Sequence, residues 1–244
     1  MLTLFSYPEL YGLPDNNPYG LKVYAFLRLC GLEFRHEHVF DAKAAPRGQL
    51  PYIVDDGETI GDSNEIVDHL IARYGLPIDA DLTPAQRTVD NLLRRTLDDL
   101  YWVMSYSRWH DPRYWPTFRD EILRTHPRIT AADLEAARAY NEKRYYYQGI
   151  GRYEPEGVYK RGLADLAALA GLLEGRPFLF GDRPHGADAG CYGFLANSYF
   201  YPIDTPLRRF IAGHPDLGRY CEAMHAAVTG AGGRPRPSPS PNSF

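Results

Sequence analysis

Two short stretches of the 244-residue chain put polar side chains where a helix should begin, Asn17-Pro18 and Asp62-Ser63. Asn17 followed by proline reads as an N-cap with proline at the first helical position, and its amide can also donate N–H bonds. Asp62-x-x-Glu65 reads as a capping box that leaves the Ser63 hydroxyl at a helix N-terminus. Between the two lies Gly48-Gln49-Leu50-Pro51-Tyr52-Ile53-Val54. A residue before proline is pushed out of the helical region, so a strand starts at Pro51. Further on, Trp102, Tyr106 and Trp109 recur at i, i+4 and i+7, an aromatic stripe that can wall a pocket or fill a core. The three cysteines, Cys30, Cys191 and Cys221, are odd in number and widely spaced, which suggests buried reduced thiols and neither a disulfide framework nor a zinc site.

The elements that must position these groups are legible in outline. Residues 2–5 form a strand candidate, and residues 6–18, with three prolines, two asparagines and a glycine, are a loop. A helix follows Asn17 through Leu21, Tyr24, Ala25 and Leu27 to a stop at Gly31, and 33–40 is a second strand. The strand from Pro51 turns at Asp56-Gly57, a tight hairpin signal. The helix after Ser63 carries Ile66, Val67, Leu70, Ile71 and Tyr74 on one face and ends at Gly75-Leu76-Pro77. A linker leads to the capping box Thr83-Pro84-Ala85-Gln86, and from there the period is helical: 83–108, an aromatic stretch to 123, then 130–148, 155–173, 186–200, 205–212 and 215–228. This divides the chain into residues 1–76 and 83–229, and the Gly, Pro and Ser-rich tail 230–244 is expected to be disordered.

The order strand, helix, strand, hairpin, helix, with Pro46-x-Gly48-x-Leu50-Pro51-Tyr52-Ile53 and Asp62-Ser63, resembles the glutathione transferase superfamily. It is most similar to the branch holding the failed-axon-connections and metaxin-like proteins, whose signature Leu100-Tyr101-Trp102, Tyr106 and Arg108-Trp109 also resemble. The resemblance implies an α/β thioredoxin-like N-terminal domain and an all-α C-terminal domain. It implies that Pro51 is cis, that Leu50 pairs with the cysteinyl backbone of glutathione beside Gln49 and Asp62, and that Ser63 holds the γ-glutamyl carboxylate. Lys43 and Arg47 are the cations available for the glycyl carboxylate, and Trp102, Tyr106 and Trp109 would wall the electrophile pocket. Gly181-Asp182-Arg183-Pro184-His185-Gly186-Ala187-Asp188 resembles the entry to the family's central buried helix, with a histidine at the cap where a hydroxyl is better suited and Asp188 in a structural role.

In this superfamily the bound thiol sits at the N-terminus of the first helix, where partial positive charge and a hydrogen-bond donor favour the thiolate over a free thiol of pKa about 8.5. The donor position aligns with Asn17, which departs from the Ser or Cys of the family. An amide can donate to a thiolate but cannot form a mixed disulfide, which disfavours glutaredoxin-like chemistry. Asn17 as a simple cap is the competing reading. Tyr7 stands where tyrosine-type transferases carry their donor, and Ser6 and Tyr19 are further candidates.

A net charge of −4 with pI near 6.1 leaves no basic footprint for nucleic acid, no apolar run reaches membrane-spanning length, and no secretory leader precedes the first strand. A cytoplasmic protein is the expectation. The resemblance implies glutathione as co-substrate, a small hydrophobic electrophile and a homodimer, for which Tyr145-Tyr146-Tyr147 supplies aromatic surface too wide in arc to face one core. Three functions stay open: a transferase using the glutathione thiolate, a non-catalytic binding or scaffold module of the same fold, and a glutathione-dependent isomerase or lyase.

Overall fold

A computed structural model describes residues 1–230. The tail read as disordered lies, beyond Gly230, outside the described residues. The first part is a four-stranded sheet of β1 (Thr3–Ser6), β2 (Arg35–His38), β3 (Tyr52–Asp55) and β4 (Glu58–Gly61), in the order β2-β1-β3-β4. β1 and β2 are parallel, with Leu4 opposite His36, and β3 runs antiparallel to both β1 and β4. Helices α1 (Pro18–Leu29) and α2 (Ser63–Tyr74) complete the thioredoxin-like unit. The described elements after it are helical: α3 (Pro84–Trp109), α4 (Trp115–Thr125), α5 (Ala131–Gln148), α6 (Pro155–Leu173), α7 (Gly186–Tyr199), α8 (Pro206–Gly213) and α9 (Pro215–Thr229), with a short 3₁₀ turn at Ile150–Arg152; another, Ala42–Ala44, lies between β2 and β3. This is the α/β plus all-α architecture expected from the sequence.

Helix starts follow local chemistry. Thr83 with Gln86 and Thr130 with Asp133 form reciprocal capping boxes. At α2 the expected box with Glu65 is not the one formed. Asp62 has φ of +72° and its carboxylate accepts from the backbone N–H of Asn64, two residues on, while Arg47 takes the other oxygen at 2.9 Å. At α7, Asp188 supplies its half of the box by accepting from the N–H of His185, but the imidazole makes no bond to the helix. Asp188 also accepts from the N–H of Leu179, so the structural role expected of it is the one its contacts describe.

α1 is buried on nearly every side from Pro18 to Leu27, as an all-round apolar helix must be. One side meets the sheet and the other meets α7, buried from Ala187 to Asn197 and rich in small residues. At Gly193 the two backbones touch: a Cβ there would collide with the carbonyl oxygen of Pro18 and lie 2.9 Å from the N of Lys22. The helical part is thereby fixed against the helix whose N-terminus carries Asn17.

Candidate functional site

A cavity of about 490 Å³ opens between the loop after β1 and helices α3, α4 and α5. Tyr7 and Asn17 reach it from the α/β side, and α3 contributes Tyr101, Met104, Ser105 and Arg108. Those four recur at i, i+3, i+4 and i+7, so they are one helical face. It is not the face read from the sequence. Of Trp102, Tyr106 and Trp109, only Trp109 lines the cavity. Tyr106, 3% exposed, packs on His110, Tyr145 and Tyr159, and Trp102 packs edge-on to Tyr145. Trp102 and Tyr106 fill the space between α3, α5 and α6, while Trp109 packs on Trp115 and Phe118 of α4.

Asn17 is the N-cap of α1: its Oδ1 accepts from the N–H of Tyr19 at 3.0 Å, which leaves the amide N–H₂ for another acceptor. Its own backbone N–H donates to Asp15 Oδ1 at 2.6 Å. Asp15 is fully buried against the first turn of α1, where a Cβ at Gly20 would collide with it. Burial pushes its carboxyl well up, against the opposing bonds from Ser6, Asn17 and Tyr7. Beside it, burial pushes the Tyr7 phenol up to about 12, aided by Tyr101 and Asp15 and opposed by Arg144. Tyr7 is therefore a neutral donor at physiological pH, and among the described residues its hydroxyl has no hydrogen-bond acceptor.

The other donors considered face elsewhere. Ser6 is fully buried and its Oγ pairs with His36 Nε2 at 2.7 Å, where burial holds the imidazole near 3 and so neutral. Tyr19 donates to Asp98 of α3 at 2.9 Å. Both are removed from the cavity by partners far along the chain.

The Leu50–Pro51 bond is cis, as expected, and neither the N–H nor the C=O of Leu50 has a hydrogen-bond partner among the described residues. Leu50 packs in a small cluster with Ala45 and Tyr52, against which Tyr7 also packs. Gln49 is exposed. Ser63 is 4% exposed, and its Oγ accepts from Lys22 Nζ at 3.2 Å. Lys22 also reaches Asn64 Oδ1 at 2.5 Å, and burial lowers its pKa to about 8. Sequence reading missed Lys22, though a lysine inside Leu21-Lys22-Val23-Tyr24-Ala25-Phe26 was a visible signal. Of the two cations proposed for a glycyl carboxylate, Lys43 pairs with Asp41 at 3.2 Å and Arg47 with Asp62.

Residues 18–114 match the model of the glutathione S-transferase N-terminal domain, and residues 162–224 that of the glutathione S-transferase C-terminal domain. An isoprene-epoxide–glutathione S-transferase of Rhodococcus sp. is 33% identical, over 92% of this chain and 98% of that protein. The chain belongs to the glutathione S-transferase family. Failed axon connections of Drosophila melanogaster is 29% identical over 86% of this chain and 54% of its own length, and human metaxin-1 26% over 80% and 44%. The glutathione S-transferase fold is shared with a beta-etherase of Sphingobium sp. (TM-score 0.65, 20% identity, 93% and 97% covered). A glutathione-bound transferase of Methylobacillus flagellatus shares it too (TM-score 0.59, 16%, 94% and 98%). In this glutathione S-transferase chain the asparagine at the start of α1 and Tyr7 line the same cavity. No helix among the described residues is long and apolar enough to cross a membrane.

Proposed function

We propose that this glutathione S-transferase family member is a transferase, joining glutathione through its sulfur to an electrophile held in the 490 Å³ cavity. The observation that carries the reading is that two donors with no acceptor among the described residues, the Tyr7 hydroxyl and the Asn17 amide at the N-terminus of α1, line one cavity. The chain's own groups suit a peptide-like co-substrate. Leu50 offers an unpaired N–H and C=O in the manner of a strand edge. Ser63 and the Lys22 ammonium offer a donor and a positive charge for a carboxylate. Bound glutathione would supply the thiol nucleophile. Tyr7 and Asn17 would donate to its sulfur, and the partial positive charge of the α1 terminus adds to them. The walls from Met104, Phe118, Ile122 and Leu134 exclude water, which strengthens those bonds. Attack forms a carbon–sulfur bond and sends the electron pair of the broken bond to the electrophile's leaving atom. The Rhodococcus relative is named for an epoxide, a class in which that atom is oxygen.

The test is ultraviolet titration of the thiolate in the complex. The wild type is expected to hold the thiol below its free value of about 8.5. A charge-assisted hydrogen bond contributes roughly 1.5–3 kcal/mol, so Asn17→Ala or Tyr7→Phe, whichever removes the working donor, should raise it by about one to two units. A wild-type thiol no more acidic than free glutathione would sink the transferase reading and favour the second one, a non-catalytic binding module. That second reading has its own support: Asn17 already serves as a helix cap.

The same proposal includes a homodimer in a cytoplasmic setting. Tyr145 is fully buried while Tyr146 and Tyr147 are 56% and 79% exposed, and Tyr153 is exposed beside them. Sedimentation at micromolar concentration should give twice the chain mass, and a monomer would refute this part.

A further inference from the structure

The charged groups on the cavity wall are unevenly matched. Asp41 accepts from the N–H of Lys43 and pairs with its ammonium, and Asp133 is committed to the Thr130 cap. Arg108 is buried, and it donates to the carbonyl oxygens of Asn16 and Asn197 and to Asn197 Oδ1, with its face on the Tyr201 ring at 4.3 Å. It ties the loop before α1 to α7, and neutral acceptors already take its donors. Two other arginines of the wall also have no carboxylate partner among the described residues, Arg128, which is exposed, and Arg144, which is half-buried and held by aromatic rings. The Arg144 guanidinium stacks on Trp102 at 5.0 Å and approaches Tyr140 and Tyr101 at 5.8 and 5.9 Å. Its hydrogen-bond acceptor is the neutral Asn141 Oδ1, at 2.9 Å from Nη1. Among the described residues no carboxylate lies within ion-pair distance of it. Glu142, two residues back on α5, faces Arg138 at 3.7 Å and His110 at 3.8 Å.

A guanidinium clamped by aromatic faces is held in place without being neutralised, and its fork matches a carboxylate with two parallel N–H bonds. A half-buried charge lacking a counter-charge gains most from an anion brought into the same low-dielectric space. Around it the wall is apolar, with Met104, Ile129 and Leu134. We propose that the cavity selects acceptors that join an apolar body to a carboxylate, with Arg144 as the residue that recognises the carboxylate. The proposal rests on the transferase reading for its chemistry but not for its binding. It adds a carboxylate to the small hydrophobic electrophile expected from the sequence. The carboxylate could belong to the acceptor or to glutathione's glycyl end, and the acceptor is favoured because Arg144 and the apolar wall bound the same cavity.

Binding is measured first, without reaction, on the full chain. 3-Phenylpropanoate and 3-phenylpropanamide are titrated in the presence of saturating glutathione while tryptophan fluorescence is followed, Trp102 lying beneath the guanidinium. The carboxylate should bind roughly 10- to 100-fold tighter than the amide, the ratio expected for a charge-assisted pair. Arg144→Gln should bring the ratio near one, and Arg144→Lys, which keeps the charge but not the fork, should restore part of it. Equal binding of the two probes to wild type, or equal weakening of both by Arg144→Gln, would overturn the proposal. So would a loss of carboxylate preference on adding glutathione together with weaker glutathione binding in Arg144→Gln, because the carboxylate served would then be glutathione's. Conjugation of 3-phenylglycidate and its amide is measured in parallel. If neither is conjugated while the binding preference stands, the transferase reading fails and the carboxylate site does not.

Discussion

Gly193→Ala is expected to be among the most damaging single-methyl changes in the chain, lowering stability by about 3 kcal/mol or more, at the upper end for overpacking. The added carbon would meet backbone on α1, the carbonyl of Pro18 and the N of Lys22, and backbone cannot swing aside as a side chain can. Relief requires α1 and α7 to separate, and with them the sheet from the helical part. The N-terminus of α1 carries Asn17, so ligand binding should fall with stability. Gly190→Ala, one turn earlier, is the internal control. Its Cβ would find Leu97 Cδ1 at 3.5 Å, an ordinary contact, and alanine gains up to about 1 kcal/mol over glycine in a helix interior. Urea midpoints should therefore move in opposite directions for the two variants. Equal midpoints would show that the α1–α7 contact is looser than described.

Lys22→Met should stabilise the protein at pH 7 while weakening the proposed binding of a γ-glutamyl carboxylate. Lys22 is 8% exposed, and burial lowers its pKa from 10.5 to about 8. At 1.36 kcal/mol per unit this corresponds to roughly 3 kcal/mol of destabilisation while both folded and unfolded lysine are protonated. The sign follows from proton counts. Between about pH 8 and 10.5 the unfolded chain holds a proton that the folded chain has released, so wild-type stability rises with pH across that window. Methionine has no such term. Its advantage should be full below pH 8 and should fade toward pH 10.5. Denaturation at pH 7 and pH 10 separates the two, and a gain of the same size at both would show that packing, not charge burial, is responsible. Glutathione affinity should drop roughly tenfold in Lys22→Met at pH 7, a charge-assisted bond lost beside Ser63. Such an exchange of stability for binding is what a functional buried charge predicts.

Most helix starts were legible because their causes lie within four residues. Thr83 with Gln86, Thr130 with Asp133 and Asn17 with Pro18 and Tyr19 are complete in local sequence, and the structure forms each of them. The strand start after Leu50-Pro51 was legible for the same reason, since proline restricts its own neighbour, whereas its cis bond was implied by the family resemblance. The box at Asp62 failed even at short range, because a positive φ turns its carboxylate to Asn64 and Arg47. What lay beyond local reading was decided by partners distant in the chain. Tyr19 was a plausible donor until Asp98, 79 residues on, took its hydroxyl, and Ser6 until His36 did the same. On α3 the sequence reading took 102-106-109 for the pocket wall, whereas 101, 104, 105 and 108 share the face that lines the cavity. Helical period states which residues share a face, but the choice of face belongs to the neighbours, and here α5 and α6 took the larger rings. Capping and turn chemistry act through bonds to adjacent backbone, and so the sequence by itself determined where elements begin. Burial and charge depend on what packs across the gap, and so only the tertiary structure decided that Lys22 is enclosed and that, among the described residues, the Tyr7 hydroxyl has no acceptor and Arg144 on the cavity wall has no counter-charge.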